Sequence, residues 1–340
     1  MTEPVPFIPT PHGVRDMLPQ EMGELNSLLA PVRDELVAKR FEELHTPALE
    51  YESVIAMGDV ESTDPAFRLL DDEGRMLVLR PDMTIPTVRL VATRLRKVRP
   101  PFRFYYVSHI YRGKPSPGRS REFLQLGAEL IGRSGLAATL ELLETLVAVL
   151  DLAGLTQYSI AIGNADLFPR LMKTLEIPAS AQGDLIADLG ARNFVGMKRR
   201  FERLIEEGAA SPRQVELLTQ VSQLRGSAEI LDRLPEEIKD VAPDLIRIAR
   251  EAEGSVRDRL VFDLGMLPTL NYYSGEIFQI QHPAVGQPIG GGGRYDQLLE
   301  RFGRPLEAVG FGVSLELLHT AKLSEDGLSK PLLEGSEESS

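Results

Sequence analysis

The stretch YRGKPSPGRSREFLQLGAELIG, Tyr111–Gly132, decides the fold of this chain. Its second half, Glu122–Ile131, is a long β-compatible run, and Phe104–His109 just before it is rich in the aromatic and β-branched residues that suit a pleated surface. Gly113, Pro115, Pro117 and Gly118 lie between the two as turn formers, so a hairpin of two long strands is expected. On the N-terminal side, Met76–Leu79 is a further short β-like run. Residues 20–40 read as a helix, with Leu25, Leu28, Leu29, Val32 and Leu36 at helical spacing despite Pro31, and the segment around Pro47 reads as extended. On the C-terminal side, Leu136–Leu152 is a strongly apolar helix ending near Gly154, and Tyr158–Ile162 a strand.

From about Ala179 to Ser255 the texture changes to charged helices with almost no strand pattern, which predicts a helical insertion. Strands resume at Leu260–Leu264, Ile277–Gln281 and Ala308–Val313. Strands in blocks with helices gathered elsewhere favour an α+β fold over a doubly wound parallel sheet. The chain thus divides into a core over 1–178 and 256–322, an insertion over 179–255, and an acidic, Ser- and Gly-rich segment over 323–340 expected to be a disordered tail. No internal repeat is visible.

A 43% hydrophobic and 26% charged composition is ordinary for folded domains, and no apolar run reaches the roughly 18–20 residues of a membrane span. The opening MTEPVPFIPTPHGVRD lacks the basic and apolar regions of a secretory signal, so a cytoplasmic protein is expected. With no cysteine, disulfides, thiolate metal sites and cysteine nucleophiles are excluded. A formal net charge of −12 argues against a surface that neutralises many phosphates. Two basic clusters stand out against it: Arg89, Arg94, Arg96, Lys97, Arg99 and Arg103, and Lys198-Arg199-Arg200. Each reads as a solvated helix face or loop.

The histidines at 12, 45, 109, 282 and 319 form no metal-ligand spacing, and no metal or cofactor site is expected. Gly290–Gly293 are consecutive glycines that let backbone approach a ligand or a neighbouring strand closely, without the form of a P-loop or dinucleotide motif; the floor of a small-molecule site and a tight structural turn both fit. Arg112, Arg119 and Arg121 surround the Gly/Pro loop and could converge on an anion. Gln125 and Glu129 fall on one face of the second strand, with Phe123. A buried Glu129 demands a partner, which a bound ammonium or imidazolium, or an internal arginine, would supply.

Taken in order, PHGVRDMLP (Pro11–Pro19), FEELHTPALE (Phe41–Glu50), LRPDMT (Leu79–Thr84), the Tyr111–Gly132 stretch, LNYY (Leu270–Tyr273) and GGGRYDQLL (Gly291–Leu299) resemble the signatures of class II aminoacyl-tRNA synthetases, specifically the histidyl enzyme. The resemblance runs to about Lys322. It implies a class II core with a mainly antiparallel sheet flanked by helices. It also implies a histidine site made by Asp82, Thr84, Arg112, Gln125, Glu129, Tyr272 and Tyr273, with Asp82 one methylene shorter than the usual Glu and Arg112 matching the arginine that bridges carboxylate and α-phosphate. Arg119 and Arg121 are left as residual anion-binding residues.

Departures from the same pattern imply lost chemistry. Pro268 stands where the histidine-specific signature has an arginine, and Leu317 where the third class II motif has the arginine that stacks on ATP. The loop between Arg112 and Gly118 is one residue short and has lost its acidic residue. Removing such preorganised cations costs roughly 10²–10³ in rate each. The chain also stops about where the histidyl enzyme begins its anticodon-binding domain, so no tRNA partner is expected. Together these features resemble the regulatory-subunit family of ATP phosphoribosyltransferase, the first enzyme of histidine biosynthesis. That resemblance implies no catalytic residues in this chain, a short-form catalytic subunit as partner, a homodimer within a hetero-octamer using the Pro47 segment, and L-histidine as effector. The alternative is a paralogue that still adenylates histidine, or a relative of it, for an acceptor other than tRNA.

Overall fold

A computed structural model describes residues 8–58, 66–113 and 120–328 of the 340. Arg119, most of the Gly/Pro loop and the tail beyond residue 328 lie outside the described residues. The strands are β1 (Glu42–Glu43), β2 (Leu49–Tyr51), β3 (Arg68–Leu70), β4 (Met76–Leu79), β5 (Phe102–Tyr111), β6 (Glu122–Ile131), β7 (Ser159–Asn164), β8 (Arg225–Gly226), β9 (Leu260–Asp263), β10 (Glu276–Gln281), β11 (Gly290–Arg294) and β12 (Ala308–Ser314). Nine of them form one sheet in the order β1-β5-β6-β12-β11-β10-β7-β9-β8. It is antiparallel except at β1–β5 and β7–β9. The parallel β7–β9 pair needs a crossover, and the helical segment between them supplies it. This is the mainly antiparallel α+β class II architecture that the sequence predicts.

β5 and β6 form the predicted hairpin, in register from Phe102 opposite Ile131 to Tyr111 opposite Glu122. Alternation along β6 gives the two sheet faces different jobs. Leu126, Ala128 and Leu130 are buried on one face, with Phe311 and Val313 of β12, Phe278 and Ile280 of β10, and Ile160 and Ile162 of β7. The helices Pro19–Ala38 and Leu136–Leu152 cover that face. Leu142, Leu143, Leu146 and Leu150 of the second helix are fully buried, each contributing about 2 kcal/mol of transfer free energy. The first helix accommodates Pro31 without a break.

The opposite face carries Gln125, Gly127 and Glu129 on β6. Register sets Gly310 opposite Glu129 and Gly312 opposite Gly127, and sets Gly291 and Gly293 of β11 opposite Gly312 and Gly310. A tract without side chains therefore crosses the middle of the sheet. Gly290–Gly293 are neither a turn nor a loop but a central strand. A Cβ on Gly292 would lie 2.1 Å from the Gly310 carbonyl oxygen, so this close approach of β11 to β12 requires glycine.

β2, β4 and β3 make a separate three-stranded sheet. Val78 and Glu50 are buried on one side of it, near the helices Glu52–Gly58 and Thr84–Thr93. On its other side Leu49, Tyr51 and Leu69 are exposed. Between Ala179 and Arg259 the chain is helical apart from β8, whose two residues pair with β9 at the edge of the large sheet and are too short to leave a pattern in sequence. Leu217, Ile238 and Leu245 from this segment join the same apolar cluster as the sheet. The final helix, Leu315–Glu325, runs past residue 322, and Glu325 accepts hydrogen bonds from the backbone N–H groups of Thr156 and Gln157.

Candidate functional site

Over the glycine tract lies a cavity of about 460 Å³, within the usual range for small-molecule sites. One wall is the turn that enters the helix Thr84–Thr93. There the Asp82 carboxylate accepts a hydrogen bond from Ile85 N–H at 2.8 Å, holding the first turn of the helix in place. A second wall is β5 and β6, contributing Tyr106 and Gln125, whose side chains meet at 3.3 Å with the phenol donating. The third is the loop before β10, contributing Pro268, Tyr272 and Tyr273, with the two tyrosine rings 5.0 Å apart. Arg112, at the end of β5, lines the mouth with its guanidinium 5.4 Å from the centre of the Phe123 ring. Asp82, Thr84, Arg112, Gln125, Tyr272 and Tyr273, named from sequence, thus converge on one space.

Glu129 behaves differently. It is 1% exposed and sits behind the cavity wall rather than on it. Thr84 Oγ1 donates to one carboxylate oxygen at 2.9 Å, and the Tyr295 hydroxyl donates to the other. The sequence suggested a ligand cation or an internal arginine as the partner. The structure supplies two hydroxyls instead. Neither carries charge, so burial dominates and pushes the Glu129 pKa up to about 8, with Asp82 raising it further and the two hydroxyls opposing. Burial also pushes the phenols of Tyr106, Tyr272, Tyr273 and Tyr295 well above the ordinary tyrosine range, so they stay neutral donors. Gly310 makes room for the carboxylate: a Cβ there would lie 1.7 Å from Glu129 Oε2.

Arg121 does not join the site. Its guanidinium donates to the carbonyls of Arg112, Gly113 and His12 and lies 4.1 Å from the centre of the Phe67 ring, while its backbone N–H donates to the Gly13 carbonyl, tethering that segment. A convergence of the three loop arginines on an anion is therefore not what the described residues form: Arg112 faces the cavity and Arg121 is occupied elsewhere. Sequence reasoning missed Tyr106, Tyr295 and Glu316. Tyr106 sits in an apolar strand run, and Tyr295 sits between Arg294 and Asp296 just past the glycines, where its neighbours rather than the ring carry the polar signal. Glu316 accepts from Leu124 N–H at 2.8 Å and from the Ser314 hydroxyl at 3.1 Å, joining the last helix to β6 at the cavity edge.

Pro268 and Leu317 both lie on the cavity wall. Among the described residues, the charged side chains lining the cavity are Asp82, Glu316 and Arg112. That set can hold a zwitterion by its two ends but presents one cation where a triphosphate needs several. Among the described residues no group of three or more His, Asp or Glu side chains could hold a metal ion, and no helix is long and apolar enough to cross a membrane.

Residues 13–318 match the histidyl-tRNA synthetase family. The ATP phosphoribosyltransferase regulatory subunit of Desulforamulus reducens is 36% identical over 312 residues, covering 89% of this chain and 76% of the relative. That of Moorella thermoacetica is 34% identical, covering 92% and 81%. A crystal structure from Bacillus halodurans, described as an ATP phosphoribosyltransferase regulatory subunit/histidyl-tRNA synthetase, superposes with a TM-score of 0.83 at 31% identity, covering 93% of this chain and 84% of that one. A sheet with a glycine floor, a polar amino-acid-sized wall and relatives of this kind agree with one another: the chain belongs to the ATP phosphoribosyltransferase regulatory subunit family, built on the histidyl-tRNA synthetase domain.

Proposed function

We propose that this chain is the non-catalytic regulatory subunit of a cytoplasmic ATP phosphoribosyltransferase, required by a short-form catalytic subunit and making it responsive to histidine. The observation that carries this reading is the cavity wall on which Pro268 and Leu317 stand beside an intact set of Asp82, Thr84, Arg112, Gln125 and Tyr273. The amino-acid end of a synthetase site is kept, and the cations that would stabilise adenylation are replaced by groups with neither charge nor donor. Histidine enters with its α-ammonium at Asp82 and Thr84 and its carboxylate toward Arg112. Its imidazole meets Gln125 and the tyrosines.

Regulation follows from linkage. Histidine shifts the complex only to the extent that it binds one quaternary state more tightly, and a coupling of about 1–3 kcal/mol gives a useful response. The exposed apolar face of the small sheet, Leu49, Tyr51 and Leu69, is the surface on which two copies pair, and such dimers join catalytic-subunit dimers in a hetero-octamer. tRNA is not a ligand, consistent with the net charge of −12.

Co-expression with a short-form ATP phosphoribosyltransferase tests the reading. Phosphoribosyl transfer is expected only when both chains are present and is expected to fall on adding histidine. Full activity of the catalytic chain alone, or histidine-dependent pyrophosphate–ATP exchange by this chain, would overturn it.

A further inference from the structure

The first basic cluster of the sequence is split by the structure. Arg89 pairs with the buried Glu50, and Arg103 pairs with Glu141. Arg94, Arg96, Lys97 and Arg99 are all exposed, and among the described residues their side chains make no ion pair or hydrogen bond. They occupy the turn after the helix Thr84–Thr93, together with Val98, which is 49% exposed. In the second cluster, by contrast, Lys198 meets Glu202 and Arg200 meets Asp184 and Asp188.

This turn is held firmly. The Arg304 guanidinium donates to the carbonyls of Val91, Leu95 and Val98 at 2.8, 2.8 and 2.6 Å and lies 5.0 Å from the centre of the Phe102 ring. These four cations on a braced turn, in a chain that is otherwise strongly acidic, meet no acidic side chain among the described residues. Water and salt screen their mutual repulsion in the free chain, and an external negative surface complements the turn directly. We infer that the Arg94–Arg99 turn is a docking surface for an acidic face of a partner protein, which on the reading above is the catalytic subunit.

Charge selects the occupant. A nucleic acid would bring phosphates against the whole field of a −12 chain, and the turn carries no exposed aromatic side chain on which a base could stack. The position also suits regulation, because the helix that ends at this turn begins at Asp82 and Thr84 of the cavity, about 15 Å away.

The test uses the full-length chain with Arg94→Glu, Arg96→Glu, Lys97→Glu and Arg99→Glu combined, measured for affinity to the short-form catalytic subunit over a salt series. Circular dichroism and thermal melting serve as fold controls. At low salt the variant is expected to bind at least about tenfold more weakly, mainly through a slower association rate, and to lose most of the salt dependence of the wild type. Equal affinity and equal salt slope in a folded variant would overturn the inference while leaving the proposed function standing. Absence of any complex with the wild type would overturn both. A short oligoribonucleotide, bound by the wild type and released by the variant, would instead reassign the turn to nucleic acid.

Discussion

Glu129 shows how a single buried group sets the chemistry of its surroundings. Its pKa near 8, against an ordinary 4.5, means that the folded protein holds a proton which the unfolded chain releases first. The contribution is fully present below pH 4.5 and is lost as pH rises towards 8. Glu129→Gln removes that loss while keeping a group that can accept from Thr84. Its melting temperature relative to wild type is therefore expected to rise by several degrees between pH 5 and pH 8; a flat difference would show that Glu129 does not titrate there. Histidine affinity is expected to change little in the same variant, because the amide oxygen still accepts from Thr84 and Glu129 sits behind the cavity wall; a large loss would show that the carboxylate itself meets the ligand. Gly310→Ala drives a methyl into the carboxylate, and overpacking of this kind costs about 1–3 kcal/mol. Loss of histidine binding in calorimetry should accompany the lower melting temperature. Gln125 and Glu129 could be placed on one strand face from their spacing alone, but the hydroxyl partners of Glu129 could not, since Thr84 and Tyr295 lie 45 and 166 residues away in sequence.

Among the elements, those with a long, periodic pattern were readable and those defined by pairing were not. The helix Leu136–Leu152 and the strand Glu122–Ile131 have the predicted bounds, because continuous apolar patterning over ten residues or more leaves little ambiguity. In the sequence Gly290–Gly293 fit a floor or a turn equally, because glycine carries no strand preference. Pairing with β10 and β12 makes them a strand. Met76–Leu79 reads as a strand in the sequence, but its membership of a separate small sheet is a fact of assembly. That sheet leaves Leu49, Tyr51 and Leu69 exposed, an apolar surface a monomer would not favour. Leu49→Glu with Leu69→Glu is expected to convert a dimer into a monomer in light scattering while helical content is retained. A double variant that remains dimeric would place the self-interface elsewhere.

At the level of the whole molecule, the cavity is where strands β5, β6, β10, β11 and β12 meet the helix Thr84–Thr93 and the Pro268–Tyr273 loop, so the site exists only once distant segments assemble. On the proposed reading, calorimetry is expected to show histidine binding, and ATP alone is expected to produce none. ATP binding of comparable strength would contradict the loss inferred from Pro268 and Leu317. Sequence alone suffices for the fold class, the β5–β6 hairpin, the longer strands and the candidate residues Asp82, Thr84, Arg112, Gln125, Tyr272 and Tyr273, because local periodicity and short motifs report burial and backbone needs directly. Assembly of the fold makes Arg121 a tether, buries Glu129 behind hydroxyls, and leaves four cations on one turn without an ion pair among the described residues. Each of those outcomes depends on which side chains come within a few ångströms across the fold, and spacing along the chain carries no information about that.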